Sequence, residues 1–226
     1  MKRSYKFVLL IGLLLSQSGI LLSQEGSKEC PASDGYITLF DGTNLDAWTG
    51  NMESYRIEDG TLAVRPGDAG GGNLYTKDEF ENFILHFEFK LTEGANNGLG
   101  IRTPLSGDAA YVGMELQILD NTAEVYKDLH CYQYHGSVYG VIPALRGFLK
   151  PVGEWNRQTV IADGTKIRVI LNGHEIVNGD IGMYIREQRT VDRREHPGLG
   201  NKKGHIGFLG HGHVLWFRNI RIMELP

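Results

Sequence analysis

The chain has 226 residues, 30 of them glycine and seven proline, and a formal charge of −4. That length suits one large domain whose core needs neither a metal nor a disulfide framework. The charge balance leaves no basic footprint for nucleic acid, and the pairs Arg193-Arg194 and Lys202-Lys203 read as solvated loops.

The N-terminus opens with Lys2, Arg3 and Lys6, followed by an apolar run over residues 7–15 and a second apolar patch at 20–22. This layout is that of a secretory signal peptide over residues 1–24. Ser, Gln and Gly interrupt the apolar stretch, which falls short of the roughly 20 residues needed to span a bilayer. An uncleaved anchor is the competing reading. With the signal removed, the mature chain has no membrane span and belongs in the periplasm or outside the cell. Cys30 and Cys131 then enter an oxidising compartment and form a candidate disulfide, two unpaired thiols being the alternative. No Cys-x-x-Cys or His-x-x-x-His spacing suggests a structural metal.

The domain is expected over residues 36–226. Residues 37–40 form a first strand ending in the turn Asp41-Gly42, and residues 55–58 and 62–64 flank the tight turn Asp59-Gly60. Residues 83–91 alternate, with Phe83, Leu85, Phe87 and Phe89 on one face and Ile84, His86, Glu88 and Lys90 on the other. Further strands are expected at 99–103, 111–119, 158–163, 166–171, 205–209 and 214–223, with Asn172-Gly173 turning into 175–177. No helical pattern is expected outside the signal peptide. Residues 181–201 are polar and strand-poor, so they read as a long surface loop, of the kind that is often functional. Many short strands joined by turns pack as two antiparallel sheets face to face, an all-β jelly-roll sandwich.

The chemistry concentrates in residues 111–121. Val112, Met114, Leu116 and Ile118 suit the core face. Glu115 and Gln117 then share the opposite face, with Asp120 near the strand end and Gly113 leaving room for a ligand. Plain solvation of an outward face is the bland alternative. The spacing Glu-x-Gln-x-x-Asp echoes the Glu-x-Asp-x-x-Glu of jelly-roll glucanases, where paired carboxylates cleave a sugar. Arg102 follows Gly98 and Gly100 on one strand face, as a ligand-binding or a salt-bridged arginine. Tyr132, Tyr134, His135 and Tyr139 supply rings for stacking on sugars or for the rim of a core. His211 lies between glycines and can move a proton near neutral pH, and His213 makes at most a weak metal pair with it. Trp155 is assigned to core packing.

Ten pieces in order then carry a resemblance. They are Leu39 to Trp48, Asp59 to Leu62, Phe83 to Phe89, Asn97 to Arg102, Met114 to Asp120, Ser137 to Gly140, Pro151 to Asn156, Leu171 to Gly173, Gly204 to Gly212 and Trp216 to Ile220. Together they resemble the family once known only as domain of unknown function 1080 and now described as the 3-keto-disaccharide hydrolase domain. The resemblance implies a concanavalin A-like jelly roll acting on glycosides whose C3 hydroxyl has been oxidised to a ketone. A C3 ketone acidifies the proton on C2, so the leaving group at C1 can depart by elimination and water can add back. On that reading Arg102, or a divalent cation, polarises the ketone. His211 or Glu115 moves the C2 proton. Asp120 or Tyr139 assists the leaving group, and Gln117, Tyr134, Tyr139 and His135 contact the carbohydrate. A non-catalytic carbohydrate-binding module and an ordinary two-carboxylate glycosidase built on Glu115 and Asp120 are the alternatives.

Overall fold

Described by the computed structural model are residues 35–67 and 71–226. Among them run thirteen strands: β1 (Ile37–Phe40), β2 (Trp48–Gly50), β3 (Tyr55–Glu58), β4 (Thr61–Val64), β5 (Asn73–Phe80), β6 (Phe83–Leu91), β7 (Asn96–Thr103), β8 (Met114–Leu119), β9 (Trp155–Asp163), β10 (Lys166–Leu171), β11 (His174–Asp180), β12 (Gly204–Gly210) and β13 (Leu215–Glu224). One sheet has the order β11-β10-β9-β6-β13-β4-β3, with β1 also on β13, and the other the order β2-β5-β12-β7-β8. The expected signal peptide at 1–24 and Cys30 lie outside the described residues. Cys131 is exposed.

Alternation decides what fills the space between the sheets. From β6, Phe83, Leu85, Phe87 and Phe89 are buried, and β13 adds Phe217, Ile220 and Ile222. Phe208 of β12 stacks on Phe217 at 3.8 Å, meets Phe87 edge-on at 5.9 Å and lies 5.6 Å from Trp48. Such ring contacts add to the area term that dominates folding. The Trp48 indole N–H donates to the Leu39 carbonyl at 2.7 Å, so its polar atom is not stranded in the core. The tight turns are as read: Asp59 and Gly60, then Asn172 and Gly173, have positive φ at both central positions.

Four local expectations change. Strands β2 and β5 are additions: Leu74, Tyr75 and Thr76 are buried in succession before exposed Lys77, Asp78 and Glu79, and a register shift against β12 breaks the alternation. Residues 109–112 form a short helix, α1 (Ala109–Val112), capped by the Asp108 side chain, so the strand begins only at Met114. The stretch 181–201 holds a second helix, α2 (Gly182–Glu187), and buries Thr190, His196 and Leu199, so it packs as a wall rather than a solvated loop. Trp155, expected in the core, lies partly exposed with Lys90 and Arg218 over its ring at 5.1 and 4.0 Å.

His135 is the largest revision of a site residue. It is buried and its ring stacks on Phe89 at 5.0 Å. Its Nδ1 accepts from the Leu119 N–H at 3.3 Å, which leaves Nε2 carrying the hydrogen toward Gln158 Oε1 at 2.9 Å. Burial lowers its pKa to about 4 against the Gln158 contact. His135 is therefore a neutral core ring, not a sugar contact. The unfolded chain protonates this histidine near 6.5 while the folded chain resists until about 4. Stability is complete above 6.5 and falls as pH drops toward 4, by on the order of 3 kcal/mol. Urea melts across that range check this: the His135→Gln variant should show a flatter decline, and an equally steep one would show that the loss arises elsewhere.

Candidate active site

The cleft lies on the outer face of the five-stranded sheet, and β7 and β8 make its floor. Their register sets Gly100 opposite Glu115 and Gly98 opposite Gln117. Met114, Leu116 and Ile118 point into the core, which sends Glu115 and Gln117 outward. A Cβ at Gly98 would fall 2.0 Å from Glu115 Oε1 and 2.7 Å from its carboxyl carbon. Only the missing side chain at Gly98 lets the Glu115 carboxylate lie across the strand.

Beyond the sheet edge, residues 136–139 run along β8. Gly136 N–H donates to Gln117 O at 2.7 Å, Gln117 N–H to Ser137 O at 3.0 Å, and Tyr139 N–H to Glu115 O at 2.8 Å. This sets the Tyr139 ring beside the carboxylate. Its hydroxyl accepts from Gln133 Nε2 at 3.2 Å, and Tyr132 meets its ring edge-on at 6.1 Å. Burial is the main cause that pushes the Tyr139 pKa up, so the phenol keeps its proton.

From the end of β12, His211 sets Nε2 3.6 Å from Glu115 Oε1. The gap is too long for a hydrogen bond and fits an ion pair. The contact with Glu115 is the leading cause that raises the His211 pKa above the ordinary histidine value; partial burial opposes it, and the charges of Glu115 and Asp108 add to it. The Glu115 side chain is 6% exposed and His211 is 46% exposed, so one partner is sunk in the floor and the other swings at the rim. Glu115 Oε1 and Gln117 Oε1 are buried without a hydrogen-bond partner among the described residues. Gln117 spends its amide N–H on Asn96 Oδ1 at 3.1 Å. Two acceptors without hydrogen bonds in a cleft suit hydroxyl donors, because a buried oxygen that accepts no hydrogen bond costs about 1–3 kcal/mol.

The opposite wall is one that sequence reasoning missed. Tyr111 lies within α1 and Arg194 comes from the 181–201 stretch; the Arg194 guanidinium donates to the Tyr111 hydroxyl and lies 5.4 Å from the ring centroid. Together these walls enclose about 310 Å³, with Asn96, Asp108 and Tyr126 also on the lining. The signal that could have found Arg194 is its place in a long polar segment, which was read as solvated.

Of the expected site residues, Glu115, Gln117, Tyr139 and His211 come together here. Arg102 does not. A register shift between β7 and β12 accompanies a positive φ at Arg102, which breaks the period of two and turns the side chain off the glycine face. Its guanidinium donates to Glu81 O, Gly164 O and Asn82 Oδ1 at 2.8, 2.7 and 3.1 Å, tying two turns together. Asp120 is also occupied: Oδ2 accepts from Gly94 N–H at 2.9 Å and Oδ1 from the Thr122 amide and hydroxyl. The Tyr134 ring lies under Arg146, with its hydroxyl toward Lys127 O. Among the described residues no three His, Cys, Asp or Glu side chains cluster in a way that could hold a metal. None of their helices is long and apolar enough to cross a membrane.

A jelly roll with an acidic, hydroxyl-ready cleft on one sheet defines a glycosidase-type hydrolase. The chain belongs to the 3-keto-alpha-glucoside-1,2-lyase-like domain family, whose pattern matches residues 35–223. It is 28% identical to a 3-keto-disaccharide hydrolase of Bacteroides thetaiotaomicron over 85% of this chain and 79% of that protein. A crystal structure of a candidate glycosyl hydrolase from Parabacteroides distasonis superposes with a TM-score of 0.74 at 32% identity, covering 84% of this chain and 99% of that one. A second from the same organism gives 0.73 at 22% identity over 85% and 95%, and shows the fold.

The Gly98 contact makes a direct prediction. Gly98→Ala should lift Glu115 from the floor by an ångström or more and cut glycoside turnover by about 10²-fold. Circular dichroism should show the sheet intact, and unchanged turnover would mean that the placement of Glu115 is immaterial.

Proposed function

We propose that the protein hydrolyses 3-keto-glycosides by elimination and hydration, with Glu115 as the base. The observation that carries this reading is the buried Glu115 Oε1, without a hydrogen bond and held 3.6 Å from the His211 imidazole in a cleft of one sugar's size. A ketone at C3 makes the C2 hydrogen acidic enough for a carboxylate to remove. Glu115 takes that proton, and negative charge builds on the C3 oxygen. The His211 imidazolium, favoured by its carboxylate neighbour, offsets the charge at the rim. Electrons return to form the C1–C2 double bond while the C1–O bond breaks, and its pair leaves with the departing oxygen. Tyr139 protonates that oxygen. Water then adds its oxygen to C1 and returns a proton to Tyr139, and Glu115 returns its proton to C2. The sum is 3-keto-glycoside plus water to 3-keto-sugar plus alcohol, with both residues restored.

Gln117 Oε1 takes a sugar hydroxyl, as does the Asn96 amide beside it. The two-carboxylate alternative built on Glu115 and Asp120 is disfavoured, since both Asp120 oxygens already accept hydrogen bonds. The basic then apolar N-terminus supports action outside the cytoplasm on sugars oxidised there.

Turnover of a chromogenic 3-keto-α-glucoside beside its unoxidised parent tests the reading. The keto compound alone should release the chromophore, and Glu115→Gln should lose about 10²–10⁴-fold. Because His211 acts as the cation, activity should fall as pH rises past a value above the ordinary histidine pKa, and His211→Asn should remove that limb. Equal release from both compounds would sink the proposal.

A further inference from the structure

Arg194 belongs to more than the cleft. It also lines an adjoining hollow of about 380 Å³, whose apolar side is Tyr184, Ile185, Pro197 and Leu199. A hollow of this size lies within the roughly 300–1,000 Å³ of small-molecule sites. On the outer side of the same wall, Arg189 and Arg193 join Arg194 around a second depression. All three arginines are exposed, and among the described residues none is in an ion pair. The acids nearby are accounted for. Glu195 shares the hollow as its single carboxylate, Glu187 shares a depression with Arg189 and Arg193, and Asp108 and Glu115 lie in the cleft that Arg194 also lines. Asp192 is fully engaged: Oδ1 accepts from the Thr190 hydroxyl at 2.8 Å and the Arg194 N–H at 3.0 Å, and Oδ2 faces His196 Nε2 at 3.0 Å.

That last pair explains why Arg194 is held rather than loose. Asp192 and His196 side chains are 3% and 1% exposed. His196 Nδ1 faces the Ala110 carbonyl of α1 at 3.2 Å, and Asp192 N–H donates to Gly140 O at 3.0 Å. Gly140 has φ of 75°, and a Cβ there would lie 2.4 Å from Asp192 Oδ2. The Thr190 hydroxyl also closes on the Arg194 carbonyl at 2.7 Å. The buried dyad thus anchors one wall to α1 and to the backbone next to Tyr139, and fixes the Arg194 backbone at the junction of cleft and hollow.

We propose that this hollow is the leaving-group subsite and that it selects a negatively charged aglycone on a flat apolar body, such as an aryl carboxylate, through Arg194. The proposal rests on the keto-glycoside reading above and names the half of the substrate that leaves. Arginine suits the task because its planar fork takes a carboxylate in two parallel hydrogen bonds while its face rests on Tyr111. Asp192 and His196 are positioning residues.

The test compares the full chain on two 3-keto-α-glucosides that differ only in charge, with 4-carboxyphenyl or 4-carbamoylphenyl as the leaving group, and follows thermal stabilisation by the matching unoxidised glucosides. The carboxylate should be preferred about tenfold in kcat/KM after correction for leaving-group pKa. The ratio should collapse toward one in Arg194→Gln, recover in part in Arg194→Lys, and shrink in 0.5 M salt as screening lengths fall to a few ångströms. His196→Gln should lower the same ratio, a change that a merely structural role would not make. Turnover of both compounds at one rate would overturn the subsite and leave the hydrolase reading standing. Turnover of neither, with selective stabilisation by the carboxylate that Arg194→Gln abolishes, would keep the hollow as a carboxylate site and overturn the hydrolase together with the leaving-group role. No selectivity in either readout would overturn the subsite.

Discussion

Glu115 lies flat across β7 because Gly98 gives it nowhere else to collide. A carboxylate on the face of a sheet ordinarily stands up into water, where it is solvated and chemically idle. Here the neighbouring strand lacks a side chain at the one place that matters, so the carboxylate sinks until 6% of it remains exposed and one oxygen has no hydrogen-bond partner. Sinking it raises its interaction with whatever stands nearby, since fields are screened less in a partly dry cleft. His211 answers that field from the rim. The same packing makes a cleft-facing, buried carboxylate of a residue that pattern alone could assign to a solvated surface.

The rest of the site is arranged around this floor by backbone pairing. Residues 136–139 extend the sheet past β8 by hydrogen bonds that need no particular side chains, and Tyr139 arrives beside Glu115 as a consequence. The opposite wall is held by a buried Asp192–His196 pair, a costlier device because ionisable groups must be taken out of water. Its reach to α1, to Gly140 and to the Arg194 backbone compensates with hydrogen bonds on every side. One wall of the cleft is thus common sheet, and the other depends on a few buried polar contacts within the segment 181–201. Substitutions in that segment should therefore alter what the cleft accepts before they alter the fold.

Where residues alternate and turns carry Asp-Gly or Asn-Gly, the fold was legible in the sequence. β6, the β3–β4 turn and the β10–β11 turn follow the rule of two, and the joint pattern of short pieces pointed to the jelly roll. Legibility ended where the period was interrupted. β5 buries three residues in a row, and Arg102 changes face at a register shift, so the reading that placed it with Gly98 and Gly100 failed for a backbone reason. Asp120 and His135 failed differently. Their residue types fit chemistry, but their partners are a loop amide at Gly94, the Thr122 hydroxyl and Gln158, none of which spacing reveals. Glu115, Gln117, Tyr139 and His211 were legible because each lies on a strand, a strand extension or a glycine-bounded strand end. Arg194 was not, because a charge in a long polar segment carries no mark of the buried dyad that holds it.

On the proposed route the C2 proton leaves to Glu115 before the glycosidic bond is hydrolysed. The most direct measurement is the initial rate on a 3-keto-glucoside deuterated at C2, with the released keto-sugar analysed for solvent hydrogen at that carbon. Release should be slower from the deuterated compound and part of the label should be lost from C2 in the product, with both effects abolished in Glu115→Gln. Equal rates with all of the deuterium retained at C2 would contradict it, and would mean that the bond is cleaved without breaking the C2–H bond.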